Sequence, residues 1–596
     1  MEKVISENWD LDSLYPGGKN SSKLNELISQ LKQDIKRLQE KIQTVDHSDT
    51  QGMVDFFKEM QDFLSASREL DDFMFCLYSV NVNDPDISKL MGEGEKIKAD
   101  FESLQIDMEQ RLARFSESEY HDFLQHEDVK KYQFYIKERK QKIADKLPIE
   151  MEKLINDLSI NGFLGWEDYY EQMMGNLRIP IEKDGRKEEL SIGQALSYAV
   201  FSSDRSLRQQ AAHKIVEICA EQAESFATVL NRINGFRLDV YKQRGWDNVL
   251  KEAMEQNRIN EQTVHTMVAA LKGKMGIFHS FLQRKAQVMN LEKLAWYDTN
   301  TPSFISDKKI PYTEAAEIVI TQFHKFSEKL GQFAERAFHE GWIEAEDRKG
   351  KMHGGFCATM PLAKQSRIFL TYTGSYQDIV TIAHELGHAY HNYILHNEPA
   401  FSQEVSVSVA ETASTFTENL VLDAAIEHAS TKNEKLSLLE LKILNGLKYQ
   451  VVVPAMFEFE QKLYKKRKQA PLTAKEISNL MDDTRNDLYG GIVDELNPYE
   501  WITIPHFFHT DLSFYNIPYT IGYLFSNGIY ALSKEKGSQF PEQYDELLRN
   551  TGRMTVEQLA AAYLNQDIGK KDFWESPLQP TIDAINEYLI LTEDII

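Results

Sequence analysis

The sequence predicts a mainly α-helical protein with one small β-sheet, on three observations: a heptad-like seam near its start, long stretches of helical apolar spacing, and strand-like segments at only a few positions. Leu24, Ile28, Leu31, Ile35, Leu38 and Ile42 fall alternately four and three apart, an amphipathic seam of nearly three heptads. The aromatic-rich stretch from Phe56 to Tyr78 offers a partner within the same chain, so helical hairpins are expected rather than dimerisation, and the chain is read as a monomer. Residues 107–157 mix charges with periodic apolar residues and predict long solvated helices. A break follows, where Asn176–Ile181 and Lys187–Ser191 flank Glu182-Lys183-Asp184-Gly185-Arg186, and the Asp-Gly pair predicts a hairpin turn. A soft boundary near residue 200 separates a helical amino-terminal lobe, 1–200, from a second lobe, 201–596. No repeat period and no low-complexity linker interrupts either.

Later elements follow in order. Thr299–Thr313 contains Pro302 and Pro311 and is expected to cross the surface irregularly before helices resume. Gly354-Gly355-Phe356-Cys357 reads as a turn entering the small sheet, and Arg367–Thr373, rich in β-branched and aromatic residues and closed by Gly374, reads as a strand. Ile379, Ile382, Ala383, Leu386, Ala389, Tyr390 and Tyr393 recur at helical intervals and predict a buried helix. Ser408–Glu418 predicts another, with small residues on one side that permit close packing.

Composition narrows the class. The chain has 596 residues, 42% hydrophobic and 27% charged, enough for a sizeable core. Its formal charge of −25, from 67 basic against 92 acidic residues, disfavours nucleic acid or an anionic membrane as partner. Three cysteines, Cys76, Cys219 and Cys357, indicate no disulfide framework and suit a reducing compartment. No apolar run is long enough to span a bilayer, and Met1–Asn8 offers neither a basic nor an apolar targeting region, so a cytoplasmic protein is expected.

The chemistry concentrates at His384-Glu385-Leu386-Gly387-His388. On a helix the two histidines, four apart, differ by roughly 40° around the axis, so their nitrogens converge on one ion. Glu385 projects beside the metal, within reach of a metal-bound water whose proton it takes. A buried helix carrying two imidazoles and a carboxylate suffers desolvation unless those groups have partners, and a divalent cation satisfies all three. One Zn²⁺ per chain is the expected cofactor.

A catalytic zinc takes three protein ligands and leaves a fourth position open. Glu411, in the first turns of the downstream helix with Ser414 and Glu418 on its face, is assigned as the third ligand; Glu404 and Glu418 are its rivals, either of which otherwise orients a ligand from outside. A three-histidine site needs glycine three and histidine six positions after His388, where the chain has His391 and Ile394, so that class fails. His391 is then read as a packed histidine. Thermolysin and the zinc aminopeptidases place the glutamate nineteen or twenty positions on, at Val407 or Ser408 here, whereas Glu411 lies 23 positions past His388.

With that separation, HELGHAYH followed by VAETASTFTE resembles the M3 family of zinc oligopeptidases, specifically its oligoendopeptidase F branch. Trp9-Asp10-Leu11-Asp12-Ser13-Leu14-Tyr15 resembles that branch's opening motif, and Pro505–His509 with Phe514–Ser526 resembles its tyrosine-rich segment. The resemblance implies a zincin-like helical body with a deep substrate cleft, a catalytic lobe at 201–596 and the small sheet beside the zinc helix. It also implies donors to the oxyanion of peptide hydrolysis: Tyr523, through the Gly-Tyr-Leu-x-Ser match, with Tyr515 and His509, while Tyr519 competes with Tyr515 for the position facing the zinc. The strand after Arg367 is read as an edge that pairs with an extended substrate main chain.

The expected function is a zinc metalloendopeptidase acting on internal bonds of short, unstructured oligopeptides. Two alternatives remain: a zinc carboxypeptidase or dipeptidase, which needs a fixed cation for a substrate terminus, and a helical peptide-binding protein that has lost catalysis.

Overall fold

The computed structural model describes residues 5–46, 48–183, 185–306 and 308–595, and they are mostly helical, with short strands gathered into small sheets. Two compact units share the chain: Met1–Asp145 with Asp307–Glu427 and Ile529–Gln566, and Lys146–Ser306 with His428–Gly528 and Asp567–Ile596. Residue 200, where the sequence suggests a boundary, lies inside the second. No helix among the described residues is long and apolar enough to cross a membrane.

In the first unit, α1 (Ser22–Thr44), α2 (Thr50–Val80) and α3 (Pro85–Ala113) bring the amino-terminal seam inside. All six seam residues are buried, in one apolar cluster with Phe56, Phe57, Met60 and Phe63 of α2 and Phe101 and Leu104 of α3. The intramolecular hairpin is therefore the partner, and each buried aliphatic side chain contributes roughly 1.5–3 kcal/mol. The long helices expected over 107–157 are broken into shorter ones. A capping box at Ser116 with Glu119 starts a new helix at Glu117, and Pro148 precedes another, Ile149–Ser159, since proline supplies no N–H to continue a preceding helix.

The small sheet belongs to the same unit. It consists of β1 (Ile343–Glu344), β2 (Phe356–Met360) and β3 (Gln365–Phe369), in the order β1-β3-β2. β3 runs parallel to β1 and antiparallel to β2, with Cys357 opposite Ile368 and Thr359 opposite Ser366. This corrects the expectation from sequence: β3 is central, bonded on both sides, and the edges are β1 and β2, the latter in the stretch that reads as a turn. β2 is held by packing rather than by local propensity, for Phe356 lies against Phe369, Phe75 and Trp9 with ring centroids 5.1, 4.7 and 6.4 Å away.

After Gly374, in left-handed backbone (φ 89°), come α4 (Tyr376–Leu395) and α5 (Thr412–Glu427). Ser375 and Asp378 form a capping box at the start of α4, and Asp378 Oδ2 also accepts from the Thr373 N–H and hydroxyl, fixing the angle at which the helix leaves the sheet.

The second unit contains the hairpin Ile179–Lys183 with Arg186–Leu190, antiparallel with Lys183 opposite Arg186; the predicted turn residue Asp184 lies outside the described residues. A 39-residue helix, Arg205–Gln243, crosses its core. The stretch from Thr299 runs over the surface as expected at Pro302, Ile305, Lys308, Lys309 and Pro311, which are exposed, but its start is anchored inside. Thr299 and Thr301 are buried, and the Thr301 hydroxyl donates to the Val200 and Tyr297 carbonyls while its own carbonyl accepts from Lys285 Nζ. Irregular backbone stays inside here because other elements satisfy its polar groups.

Candidate metal centre

His384, Glu385 and His388 all lie on α4, whose other face buries Ile379, Ile382, Ala383, Leu386, Ala389 and Tyr390. α5 packs against it closely enough that a Cβ at Gly387 would sit 2.4 Å from Thr417 Oγ1 and 2.6 Å from the Ala413 carbonyl oxygen. Only glycine permits that approach, and the Thr417 hydroxyl uses it to donate to the Ala383 carbonyl at 2.8 Å. The small residues expected on one side of the second helix are thus the contact surface. Glu411 stands just ahead of α5, ending the short helix Val407–Ala410.

Three donor atoms converge there. His384 Nε2 and His388 Nε2 are 3.1 Å apart, and each is 3.4 Å from Glu411 Oε2. Ligands held about 2.0–2.2 Å from one tetrahedral zinc are separated by about 3.4 Å, so the spacing fits such an ion. The tautomer fits as well. His384 Nδ1 lies 2.5 Å from Glu418 Oε1, so Nδ1 keeps its proton and Nε2 is the nitrogen that faces the centre and would give up its proton to a cation there. Ser414 Oγ donates to Glu411 Oε2 at 2.8 Å and fixes that carboxylate.

The charges respond to one another. Burial opposes protonation of His384, but the Glu418 hydrogen bond and charge, with Glu385 and Glu411, outweigh it and raise its pKa to about 9. Burial also opposes ionisation of Glu411, yet the His388 hydrogen bond and the charges of both imidazoles hold its carboxyl at about 2. Burial pushes Glu385 upward, and its Oε2 is buried with no hydrogen-bond partner. A carboxylate so placed is poised to exchange a proton with something occupying the centre.

Of the rival ligands, Glu418 orients His384, and Glu404 lies with Arg68 and Arg139, 3.6 and 3.5 Å away. His391 is buried and lies 2.8 Å from the Thr551 hydroxyl, with its pKa lowered by burial to about 4, the packed histidine expected. Sequence reasoning missed Gly355, at the start of β2, where a Cβ would lie 3.2 Å from Glu385 Oε1; the Gly354-Gly355 pair is its signal, and by itself that pair reads only as a turn.

The aromatic candidates form a cluster in the second unit. His509 Nδ1 is 2.8 Å from Glu167 Oε1, and Glu167 Oε2 accepts from both the Thr510 N–H and its hydroxyl. Tyr515 packs edge-on to His506 and His509, with centroids 5.0 and 5.6 Å away. Tyr523 is buried and stacks on Tyr449 at 4.8 Å. His506, not singled out from sequence, lies between Tyr515 and Tyr519 and is 2.7 Å from Asn516 Oδ1 through Nδ1.

Residues 200–576 match the family model described as Peptidase family M3, and residues 111–179 one described as Oligopeptidase F. The chain is similar to "Oligoendopeptidase F, chromosomal" of Lactococcus lactis subsp. cremoris, 24% identical over 429 residues that span 70% of this chain and 69% of the relative. It is likewise similar to "Group B oligopeptidase PepB" of Streptococcus agalactiae, 24% identical over 78% of each. Its fold matches that of oligoendopeptidase-F from Enterococcus faecium with a TM-score of 0.72 at 18% identity, over 96% of this chain and 99% of that one.

Proposed function

Because the chain belongs to peptidase family M3, we propose that His384, His388 and Glu411 hold one Zn²⁺ and that the protein is an endopeptidase hydrolysing internal bonds of short, unstructured oligopeptides. The observation that carries this reading is three donor atoms at 3.1–3.4 Å with a buried, unpartnered carboxylate oxygen, that of Glu385, on the helix that carries the two histidines.

Zinc, when bound, supplies a Lewis acid that polarises the scissile carbonyl and acidifies water. The side chains do the rest. Glu385 takes a proton from the attacking water and returns it to the leaving amine nitrogen; its raised pKa suits a group that must do both. Glu418 keeps the proton of His384 on Nδ1. Tyr515, Tyr523 and His509, assigned by family resemblance, donate to the oxyanion. The edge of β2 offers main-chain pairing to an extended peptide, which gives affinity with little side-chain selection. A cytoplasmic monomer belongs to the same proposal, the seam of α1 being covered within its own unit.

The test is to incubate the zinc-loaded protein with peptides of graded length blocked at both ends and to map products by mass spectrometry. Internal cleavage of the shorter peptides is expected; cleavage only where a free carboxyl terminus is present replaces this reading with the carboxypeptidase one. Glu385→Gln is expected to retain zinc and lose turnover about 10²–10⁴-fold. Near-normal turnover in that variant removes Glu385 as the base.

A further inference from the structure

Backbone bonding fixes which groups of β2 face away from the sheet. Ile368, opposite Cys357, sends its N–H to the Trp342 carbonyl at 2.8 Å, away from β2. Cys357 is therefore a position that does not exchange hydrogen bonds with β3, and by the period of two so are Gly355 and Thr359. Thr359 agrees with this phase: its N–H is turned outward and donates to Asp72 Oδ2 of α2 at 2.6 Å. At Cys357 the thiol turns toward Asn392 Nδ2, 3.8 Å away, while the residue is only partly buried.

This edge starts at the proposed proton carrier and ends at Asp72. Gly355 adjoins Glu385, as the 3.2 Å approach of its would-be Cβ shows, and Thr359 is four residues further, about 13 Å in extended chain. Room does not run out there, since a cavity of 490 Å³ is lined by Thr359, His388, Asn392, Arg68 and Glu404. What ends is the ladder, because the Asp72 carboxylate, 2.6 Å from the Thr359 nitrogen, fills the place a pairing peptide's carbonyl would take, so the peptide cannot come alongside Thr359 to reach its outward carbonyl either.

We propose that Asp72 is the stop of the substrate-pairing edge: by holding the Thr359 N–H, it confines main-chain pairing of a bound peptide to Gly355 and Cys357. The inference rests on the edge-strand reading in the proposed function. Asp72 is a specificity-determining residue acting through Thr359. A peptide extending past Cys357 enters the cavity without further main-chain bonds, so added length at that end adds little affinity. Glu69, one turn earlier on α2, holds the other end of the hairpin: its Oε2 accepts from the N–H groups of Leu362 and Ala363 in the turn between β2 and β3, and its Oε1 from the Tyr15 hydroxyl.

The experiment uses the zinc-loaded wild-type protein and a series of doubly blocked peptides sharing one cleavable bond, each carrying a single backbone N-methyl group. Methylation at the position paired with Cys357 is expected to raise KM about 2–10-fold, and methylation two residues beyond, opposite Thr359, to leave it unchanged. A further sensitive position beyond the Cys357 pair overturns the proposal. Asp72→Ala is expected to make that next position sensitive and to lower KM about 2–10-fold for peptides extended across it, with kcat held. Asp72→Asn, whose side-chain carbonyl still accepts, is expected to keep the wild-type length profile, as is Glu69→Ala, which loosens the same hairpin. An Asp72→Ala profile superimposable on wild type overturns the stop. Failure of the wild-type protein to cleave any blocked peptide overturns the endopeptidase reading itself, and the stop with it.

Discussion

The metal centre around α4 and α5 and the aromatic cluster from His506 to Tyr523 gather comparable numbers of polar side chains by opposite means. At the metal centre, helical period places His384, Glu385 and His388, and each polar group is fixed by another: Glu418 on His384, Ser414 on Glu411, Thr417 on the Ala383 carbonyl. In the aromatic cluster the chain runs through the short helical turn Pro505–Phe508 and the left-handed Phe514 before the helix Ile517–Lys536 begins, and rings pack on rings. A regular element positions atoms through its own geometry; an irregular segment does so only through what surrounds it. The first tolerates change poorly at packing positions, the second at hydroxyls whose placement many neighbours share.

The largest effect that tests this contrast is expected from Tyr523→Phe. If the phenol donates to the oxyanion, kcat falls about 10²–10³-fold while zinc content and melting temperature stay near wild type, because the ring remains stacked on Tyr449. Steady-state kinetics with metal analysis on the same preparation decides it. Loss of zinc in this variant breaks the contrast, since the cluster would then be supporting the metal site.

Next is Gly387→Ala. A methyl group forced to within 2.4 Å of Thr417 Oγ1 and 2.6 Å of the Ala413 carbonyl must push α5 away, at about 1–3 kcal/mol of stability. Because Glu411 leads directly into α5, zinc affinity is expected to fall as well. Denaturant titration and competition with a chelator read the two effects separately, and a variant as stable as wild type contradicts the close approach of the helices.

How much of the molecule is legible in its sequence follows from the same contrast. Four-residue spacing alone puts His384 and His388 on one face, and the small residues at Ala410, Ala413, Ser414 and Thr417 announce a close helix contact. Glu411 is harder, because beyond the end of α4 at Leu395 the chain reaches it through irregular backbone and two short turns, Ala400–Gln403 and Val407–Ala410, which no periodicity predicts. The edge strand β2 reads as a turn because Gly354-Gly355 carries that local signature, whereas the strand exists through its pairing with β3 and the packing of Phe356. Asp72 has no signal at all: it meets Thr359 across 287 positions of sequence, as one acidic residue among many on a helix.

The smallest expected effect, about tenfold, belongs to Glu418→Gln, and it sharpens the contrast through pH. In the wild-type protein without metal, the Glu418 hydrogen bond and charge, with the charges of Glu385 and Glu411, overcome burial and raise His384 to about 9. A cation arriving below that pH must displace a proton, so apparent affinity rises close to tenfold per pH unit until pH 9 and then levels off. Glutamine still accepts from Nδ1 but removes the charge, so the His384 pKa falls and the proton competes less. The variant is therefore expected to bind zinc about tenfold more weakly than wild type at pH 9, where only the lost basicity of the ligand matters, and to approach wild type near pH 7, where the weaker proton competition offsets it. Zinc titrations against a chelator of known affinity between pH 6.5 and 9.5 test the slope directly. Parallel wild-type and variant curves mean that Glu418 acts on His384 by orientation alone, and the electrostatic part of its role is then withdrawn.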